Sequence, residues 1–600
     1  MLSLTEKKKV KKRSVKGTFI RLCGYILKYW YIFVPAVVFT LLSNQLALLG
    51  PKYSGFAIDA IALPGGVDFD AVKDSILKML VCYVASAILS YVLSVLMTYM
   101  SQKIVYTMRK QLFEKLTSLP VGYFDKHPTG DIVSHISYDI DTINTSLSHD
   151  LLQVMTSIYT VVGSFIFMWN ISKPLLLVFV VTVPAAVIFT RYRSKRIRPL
   201  FRARSKKLGE LNGYAEEMLT GCRSIQAYDR EEVISGRFNE RNTDSMNAYY
   251  KADYYGCLMG PMVNFINNLS ISLVMIMGGI LYMLSQNGTV QATSLFFITL
   301  GGITQFVLYS RKFAGPINEF ANILSELQSA FSAADRVFRV LDEDPERPDA
   351  EGAEVLSDVE GEVDFEDVSF GYTPDKTILK HISFSAAPGE TIAFVGPTGA
   401  GKTTLINLLM RFYDPDSGAI HVDGKEAQSV TRASLRKAYT MVLQDTWLFG
   451  GTVFDNIAYG RENATMDMVK AAAKAARVDQ FIESLPDGYD TVLSDEGVNI
   501  SKGQRQLITI ARAMLSDSRM LILDEATSNV DSRTEIKIQE AMAELMRGRT
   551  CFVIAHRLST IQNADRIYVI QDGEITESGN HEELLRLGGF YSTLYNSQFQ

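Results

Sequence analysis

Cysteine is scarce in this chain of 600 residues, and basic residues are not in excess over acidic ones. The five cysteines are odd in number, widely scattered and without a Cys-x-x-Cys pair, which argues against a disulfide framework and a structural zinc site. The 60 Lys and Arg residues against 65 Asp and Glu residues give a net charge of −5, so no general basic field indicates a nucleic-acid partner. The length exceeds that of one compact domain and predicts at least two structural units.

Charged residues are also missing from long intervals, all of them in the first half of the chain. A membrane-spanning helix needs about 20 mostly apolar residues. Four of the intervals fit one span each, and the fifth fits two spans separated by a turn at residues 285–288. The charge-free intervals are 29–51, 79–102, 151–172, 174–190 and 254–310. Buried helices of a soluble protein rarely produce such a set, so we predict a helical transmembrane domain over residues 1–345. Its six predicted spans are about 29–51, 77–102, 151–172, 174–192, 256–285 and 289–312.

Charge at the ends of the spans predicts their orientation. The basic run Lys7–Arg13 precedes the first span, which indicates a cytoplasmic N-terminus. Six spans then return the C-terminus to the cytoplasm. The charged segments 103–150 and 191–253 become long cytoplasmic helical extensions.

The polar residues within the spans are amides rather than acids or bases, which argues against a proton relay. Polar groups in hydrocarbon are costly unless they pair or meet water. Two interpretations remain open, namely hydrogen bonding between helices and a water-accessible substrate cavity. The amides are Asn44, Gln45, Asn264, Asn267, Asn268 and Gln305.

Composition changes abruptly after residue 341. The acidic stretch from Asp342 to Glu366 predicts a solvated linker, which we place at 346–360. The remaining residues, 361–600, form the second predicted domain.

This second domain contains a phosphate-binding sequence. A short apolar run at 391–395 predicts a strand, and 404–410 reads as a helix. Between them stands Gly396-Pro397-Thr398-Gly399-Ala400-Gly401-Lys402-Thr403, the G-x-x-x-x-G-K-[ST] loop in its required context. Backbone N–H groups of such a loop close around phosphate oxygens, with Lys402 reaching the β- and γ-phosphates and Thr403 ligating Mg²⁺.

Two later apolar runs end in polar side chains. Residues 520–523 are followed by Asp524 and Glu525, and 550–555 are followed by His556. A lone histidine or acidic pair after a strand is more often structural. Ligands gather at the carboxyl ends of parallel strands, however, which favours Asp524 as an Mg²⁺ ligand and Glu525 as the group that polarises the attacking water.

The segment Ile500–Leu507 resembles the signature sequence of ATP-binding-cassette (ABC) ATPases. The resemblance implies that Tyr372 stacks on adenine, that Gln444 senses metal and water, and that His556 contacts the γ-phosphate. It further implies a D-loop at 528–531 and a cross-talk loop at 495–497. The ATP-contacting residues are then Tyr372, Gly396, Thr398, Gly399, Gly401, Lys402, Thr403, Thr404, Ser501, Gly503, Gln504 and Asp531. The implied catalytic residues are Glu525, His556 and Gln444, and the implied Mg²⁺ ligands are Thr403, Gln444 and Asp524.

The resemblance extends into the first half of the chain. Phe124, the residues 129–131 and Asp139 resemble the first coupling loop of exporter-type transporters, and residues 221–231 resemble the second. Six spans fused to one cassette is the half-transporter arrangement of that family. The expected fold (the type IV exporter fold) is thus an α-helical transmembrane domain with long cytoplasmic extensions, joined to an α/β P-loop ATPase domain with a helical subdomain.

Two departures from the usual motifs bear on the partner. Lys502 replaces the usual signature glycine, and Asn529-Val530 replaces Ala-Leu in the D-loop. Both variants resemble the catalytically intact subunit of bacterial heterodimeric multidrug exporters. In that family each nucleotide lies between the P-loop of one subunit and the signature of the other, so a second half-transporter is implied. The departures favour a heterodimer over a homodimer, in a bacterial plasma membrane.

The expected function is export of a hydrophobic or amphipathic substrate by alternating access, driven by ATP hydrolysis. An ATP-gated channel or regulatory subunit and uptake through an exporter-like fold remain as alternatives. The sequence does not distinguish drugs from lipids, peptides or siderophores.

Overall fold

The computed structural model describes residues 15–63, 66–286, 296–443, 446–493, 500–524, 531–554 and 561–598. Internal contacts divide the chain into two compact units. The first, here called the membrane unit, comprises residues 1–118 and 128–343. The second, the ATPase unit, comprises residues 119–127 and 344–600.

The membrane unit is built of helices. They are α1 Val15–Lys28, α2 Trp30–Ile61, α3 Phe69–Thr117, α5 Thr129–Ser134, α6 Ile140–Thr145, α7 Leu151–Ile171, α8 Lys173–Thr220, α9 Cys222–Ala227, α10 Glu231–Cys257, α11 Met259–Gln286 and α12 Leu300–Asp342, with π-helical turns at His135–Asp139 and Ser146–Asp150. The short helix α4, Val121–Phe124, belongs to the ATPase unit. At 1.5 Å per residue, the 49 residues of α3 and the 48 of α8 run for about 70 Å, more than twice a hydrocarbon core of about 30 Å.

Five helical stretches in the described residues have the length and apolar composition of a membrane span. They are Trp30–Ile61, Phe69–Thr117, Thr129–Ile171, Lys173–Thr220 and Glu231–Gln286. The sixth predicted span, 289–312, falls partly outside the described residues, and α12 begins at Leu300. This span therefore stays a prediction.

Local sequence sets several of these helix boundaries. Asp68 caps α3 by accepting a hydrogen bond from the Ala71 backbone N–H at 3.0 Å, and Thr299 caps α12 through Gly302 at 2.9 Å. Between α7 and α8 a single extended residue, Ser172, reverses the chain. Pro174 follows within the first turn of α8, where its missing N–H costs nothing.

Polar contacts between helices supplement apolar packing in the membrane unit. Ser43 of α2 lies 3.0 Å from the Ser86 carbonyl oxygen and 2.6 Å from the Ser90 hydroxyl of α3, and such small residues let two helices approach closely. The buried Tyr309 of α12 donates to the Leu48 carbonyl oxygen at 2.6 Å and stacks on Phe167 with ring centroids 4.9 Å apart.

A buried carboxylate joins α12 to the π-helical turn in the region resembling the first coupling loop. The Asp139 side chain is 3% exposed and accepts hydrogen bonds from the Arg336 guanidinium at 3.0 Å and from His135 at 2.7 Å. Burial alone would raise the pKa of Asp139, but the hydrogen bonds from Arg336 and His135 outweigh it and lower that pKa. Asp139, His135 and Arg336 all belong to the membrane unit, so the described contacts of Asp139 are made within that unit.

The ATPase unit contains two larger sheets and a two-stranded ribbon. The four-stranded sheet has the order β2 Leu379–Ala386, β1 Val363–Phe370, β4 Ser417–Val422, β5 Lys425–Glu426. The six-stranded sheet has the order β12 Glu574–Gly579, β11 Arg566–Gln571, β3 Thr391–Val395, β10 Thr550–Ile554, β9 Met520–Asp524, β6 Tyr439–Val442. The ribbon pairs β7 Gly451–Thr452 with β8 Val492–Leu493.

Helices cover these sheets and enclose two hydrophobic cores. They are α13 Lys402–Leu409, α14 Arg432–Ala438, α15 Val453–Ala458, α16 Met466–Ala475, α17 Asp479–Glu483, α18 Lys502–Leu515, α19 Ser532–Met546, α20 His581–Leu587 and α21 Phe590–Gln598, with a 3₁₀ turn at Gly488–Asp490. Residues of α15 to α19 form one core with one face of the six-stranded sheet. The other face packs with the four-stranded sheet and α13. An α/β domain with a helical subdomain, as predicted, is confirmed.

The acidic stretch after α12 lies against the ATPase unit. Glu346 pairs with Arg436, and Asp349 accepts from the guanidinium of Arg432 at 3.1 Å and from its backbone N–H at 3.2 Å. The Arg432 side chain is only 9% exposed and also contacts Asp414 at 3.3 Å. The composition predicts a solvated linker, but two of its carboxylates pair with the buried Arg432 and the half-buried Arg436, and so this part of the stretch is fixed.

Candidate nucleotide site

The phosphate-binding sequence forms the predicted strand–loop–helix turn, with β3 leading into α13. Gly401 caps α13 with φ +106°, a conformation that side chains other than glycine rarely adopt. At Gly396 a Cβ atom would clash with the carbonyl oxygen of Ile570 on the neighbouring strand. Both glycines are therefore required by the backbone, whatever the loop binds.

Lys402 is the one charged residue of the loop sequence, and it is buried. Its side chain folds back so that Nζ donates to the carbonyl oxygens of Gly396 at 2.8 Å and Pro397 at 3.0 Å. The residue is 6% exposed, and this burial lowers the pKa of the ammonium group while the Asp524 carboxylate opposes the shift. A buried ammonium held by two carbonyl groups is well placed to exchange them for anionic oxygens of a phosphate.

The polar strand ends meet at one edge of the six-stranded sheet. Strand β10 runs parallel to both β3 and β9, and β9 runs parallel to β6. Ile554 at the end of β10 pairs with Phe394 on one side and Asp524 on the other. The predicted acid thus stands at the same edge as the phosphate-binding loop, with one strand between them.

Tyr372 lies beside the first turns of α13. Its hydroxyl donates to Thr404 at 3.3 Å and accepts from the Asn407 amide at 3.0 Å, and its ring contacts Tyr413 edge-on at a centroid distance of 5.1 Å. The residue is 37% exposed, so part of its side chain is accessible to a ligand. Sequence reasoning missed Asn407 and Tyr413, since neither lies in a recognisable motif.

The signature segment starts a helix. Ser501 caps α18 in a reciprocal pair, in which its hydroxyl accepts from the Gln504 N–H at 3.2 Å and its own N–H donates to the Gln504 side chain at 2.9 Å. Gly503 is buried in the first turn. Asp531 similarly caps α19 through the Thr534 N–H at 3.0 Å, and that hydrogen bond lowers the pKa of the Asp531 carboxyl.

Several predicted residues lie outside the described part of the chain. These are Gln444, Glu525, His556 and the segments 495–497 and 528–530. In sequence, the first three follow within two residues of the strands that end at the edge described above, namely β6, β9 and β10.

The described residues fit a nucleoside triphosphate with a divalent cation. The loop exposes no side chain at Gly399, where a Cβ atom would meet only open space, and the helix N-terminus behind it favours an anion. A hydroxyl at Thr403 and a carboxylate at Asp524 are oxygen donors of the kind that Mg²⁺ prefers.

The predicted amides of the membrane unit fall into two groups according to their contacts. Asn44 accepts from Thr160 at 3.3 Å, Gln45 accepts from the Tyr159 hydroxyl at 2.7 Å, and Gln305 donates to the Lys52 carbonyl oxygen at 3.2 Å. These three join helices. Asn264, Asn267 and Asn268 instead line a cavity of about 310 Å³, and with them stands Arg311, which the sequence analysis did not single out.

Two protein families match the chain, one in each unit. The ABC transporter transmembrane region matches residues 32–304, and the ABC transporter family of ATPase domains matches residues 379–528.

Similar full-length proteins extend these matches. The chain is 41% identical over 594 residues to an uncharacterized ABC transporter ATP-binding protein of Bacillus subtilis, YfiC, covering 99% of this chain and 96% of that protein. It is 45% identical over 530 residues to a fatty acid ABC transporter ATP-binding/permease protein of Mycobacterium tuberculosis, covering 88% and 82%. Among solved structures, a bacterial Atm1-family ABC exporter with ATP bound is similar with a TM-score of 0.74 and 29% identity, covering 95% of this chain and 98% of that one.

Proposed function

Because this chain belongs to the ABC exporter family, with a transmembrane region and an ATPase domain in one polypeptide, we propose that it is one half of a dimeric ATP-driven exporter of amphipathic molecules. An ATPase coupled to transport and a multi-pass membrane location come with the family. The proposal adds the direction of transport, the substrate class and the dimer.

The proposed domain plan is a transmembrane domain over 1–345 with six spans, the linker 346–360 and the ATPase domain 361–600. Five of the spans are supported by the apolar helices described above. With both termini on the cytoplasmic side of a bacterial plasma membrane, the ATPase unit has access to cellular ATP.

We assign roles to the residues of the nucleotide site as follows. Lys402 and the N–H groups of the loop bind the phosphates, with Thr403 and Asp524 as ligands to Mg²⁺. Bound Mg-ATP supplies the phosphoryl group whose hydrolysis drives the cycle. Glu525 orients water and accepts its proton, and Gln444 and His556 complete the site. The remaining contacts are assigned to Tyr372, Gly396, Thr398, Gly399, Gly401 and Thr404 of this chain and, across the dimer, to Ser501, Gly503, Gln504 and Asp531.

A second half-transporter supplies the missing part of each nucleotide site. The chain has one phosphate-binding loop and one signature segment, and two of each are needed for two complete sites. The departures at Lys502 and residues 529–530 support a heterodimer over a homodimer. Co-purification with a half-transporter that lacks the catalytic glutamate would establish the heterodimer.

The cavity of about 310 Å³ beside α8, α11 and α12 supports an amphipathic substrate, because it combines apolar with amide side chains. The name of the Mycobacterium tuberculosis relative, a fatty acid transporter, agrees with this class.

The observation that carries the proposal is the arrangement of Lys402 and Asp524 at one sheet edge. We expect Glu525→Gln to retain ATP binding while ATP hydrolysis falls by about 10²–10⁴-fold, because a positioned general base is lost. Purified protein, alone and with any partner, is assayed for ATPase activity and for ATP retention. The matched control is Glu544→Gln, which changes an exposed carboxylate of the same unit.

Transport itself is tested in proteoliposomes. Uphill movement of a labelled amphiphile that needs both ATP and Glu525 supports the exporter. Undiminished ATP hydrolysis in Glu525→Gln contradicts the assigned role, and ATP-gated downhill flux without uphill movement indicates a channel instead.

A further inference from the structure

The cavity in the membrane unit is lined by an unusual run of free amides. Asn264, Asn267 and Asn268 lie within two turns of α11, and no hydrogen bond to their side-chain amides is found among the described residues. Asn264 and Asn268 are exposed, and Asn267 is half-buried. Three unpaired amides facing hydrocarbon would each cost free energy, so this face of α11 looks onto a polar space rather than onto lipid.

Arg311 adds a positive charge to the same cavity. The charge-free interval in the sequence ends at residue 310, which makes Arg311 look like the cytoplasmic end of a span. Contacts between aromatic rings place Arg311 at a different depth from the one that the end of this interval indicates. Phe179 lies six residues into α8, about 9 Å from its first residue, and its ring is 6.1 Å from Phe306 and 6.0 Å from Phe313.

Because Arg311 stands between those two phenylalanines in α12, it lies at nearly the same depth as Phe179. With residues 174–192 as the proposed fourth span, a point about 9 Å along α8 lies inside a hydrocarbon core about 30 Å thick. A guanidinium at such a position is expensive unless it faces a partner or a water-filled cavity, and such residues mark substrate pathways.

The positive charge in the cavity has no counter-ion among the residues that the structure describes. Arg311 has no ion pair with a described residue, and the lining contains no acid. The lining residues that can contact a ligand include Phe179, Asn264, Asn267, Asn268, Ile271 and Arg311. The hydroxyls of Ser270 and Ser310 are engaged with the carbonyl oxygens of Ile266 and Phe306 in their own helices. One cation and three amides therefore remain available to a ligand.

We propose that this cavity binds the anionic headgroup, carboxylate or phosphate, of a single-chain amphiphile. Arg311 pairs with the charge, and the amide N–H groups of Asn264, Asn267 and Asn268 supply further hydrogen bonds. Phe179 and Ile271 contact the first methylene groups. The cavity is at the small end of the range for ligand pockets, about 300–1,000 Å³, so it holds a headgroup and the start of a chain rather than a whole lipid. This inference rests on the proposed function and narrows its substrate class.

The test compares ligands that share a chain and differ in the headgroup. Full-length protein in nanodiscs, without nucleotide, is titrated with labelled palmitate, hexadecyl phosphate, hexadecanol and hexadecylamine, and with acetate and inorganic phosphate. We expect one or both anionic amphiphiles to bind at least about tenfold more tightly than the alcohol and the amine, and the free anions to bind weakly. Which of the two anionic amphiphiles binds more tightly identifies the headgroup.

Variants locate the site. We expect Arg311→Gln to weaken binding of the anionic amphiphile by about ten- to a hundredfold while hexadecanol binding changes little, and Arg311→Lys to recover part of the loss. Lys312→Gln is the matched control, because Lys312 is the adjacent cation and does not line the cavity. Asn264→Leu and Asn268→Leu provide a second test that leaves the charge in place, each with a smaller loss confined to the anionic ligands.

Equal affinity for palmitate and hexadecanol overturns the inference. An Arg311→Gln variant that binds the anionic amphiphile as tightly as the Lys312→Gln variant does also overturns it. ATP-driven transport is measured separately on the same protein. Uphill transport of amphiphiles without preference for an anionic headgroup leaves the proposed function standing and rejects this site. Arg311-dependent binding without ATP-driven transport supports this site and contradicts the proposed function.

Discussion

The nucleotide site and the membrane cavity are assembled in different ways. In the ATPase unit the described site residues come from short contiguous segments, each attached to the end of a strand or the start of a helix. In the membrane unit Phe179, Asn264 and Arg311 come from three helices far apart in sequence, and no motif joins them. A site built from one local turn can be read from the sequence, whereas a site built by helix packing needs the structure.

The same contrast appears between residues of one type. Asn44 and Asn268 are both amides in apolar helices, and the sequence gives no reason to separate them. The structure uses Asn44 in hydrogen bonds to Thr40 and Thr160, and leaves the Asn268 side chain at the cavity. Burial and partners decide which amide is structural, and both depend on the neighbouring helices.

The largest effect is expected from a substitution in the phosphate-binding loop. Lys402→Ala removes the only ammonium of the phosphate-binding loop, so ATP hydrolysis should fall by about 10²–10³-fold, with weaker ATP binding. Steady-state ATPase assays and nucleotide binding on purified protein measure both. Lys437→Ala serves as the control, since Lys437 is an exposed lysine of the same unit. If both variants hydrolyse ATP equally well, the loop is not a phosphate site.

A middle-sized effect is expected from the buried carboxylate of the membrane unit. Asp139→Asn leaves Arg336 without its anion, and we expect a loss of about 2 kcal/mol in stability, moderated because Arg336 is 41% exposed. Since the folded-state pKa of Asp139 lies below its unfolded value, this stabilisation is complete above about pH 4 and disappears as the pH falls through the folded-state pKa.

Thermal unfolding in detergent, followed by intrinsic fluorescence from pH 7 down to pH 3, measures this difference. Asp141→Asn is the matched control, because Asp141 also faces an arginine, Arg109, but is 64% exposed. A variant as stable as wild type at pH 7, or a difference that grows as the pH falls, contradicts the role given to Asp139.

The smallest effect concerns a single hydrogen bond between helices. Tyr159→Phe removes only the hydroxyl that donates to Gln45 at 2.7 Å, and such bonds within a membrane contribute about 0.6 kcal/mol on average. We expect a small drop in thermal stability and unchanged ATP hydrolysis. A change in ligand affinity as large as that of Arg311→Gln would show that Gln45 also belongs to the cavity. It would contradict the division of the amides into those that join helices and those that line the cavity.

Much of the ATPase unit was predictable from short patterns. The apolar runs at 391–395, 520–523 and 550–555 appear as β3, β9 and β10, within one residue of their predicted ends, and the helix after the loop appears as α13. Short apolar runs and glycine spacing fix these elements locally, with little help from the rest of the chain. Apolar length similarly predicted five of the long membrane helices.

Other features depend on contacts that no local pattern encodes. The acidic stretch after α12 looks solvated by composition, yet the buried Arg432 and the half-buried Arg436 hold Asp349 and Glu346 in place. The absence of charge marks the apolar helices, but it does not show that Arg311 shares a cavity with three amides of α11, because helix packing brings these residues together. Asp139 resembles part of a coupling loop, and its described partners lie within its own unit.

The anchored acidic stretch makes the covalent connection that follows α12 short. Helix α12 ends at Asp342 and Glu346 pairs with Arg436, so four residue steps of chain connect the end of the helix to this ion pair. Fully extended, they reach about 14 Å. A connecting segment this short becomes fully extended after a modest displacement. Any larger displacement of one end must then move the other end as well.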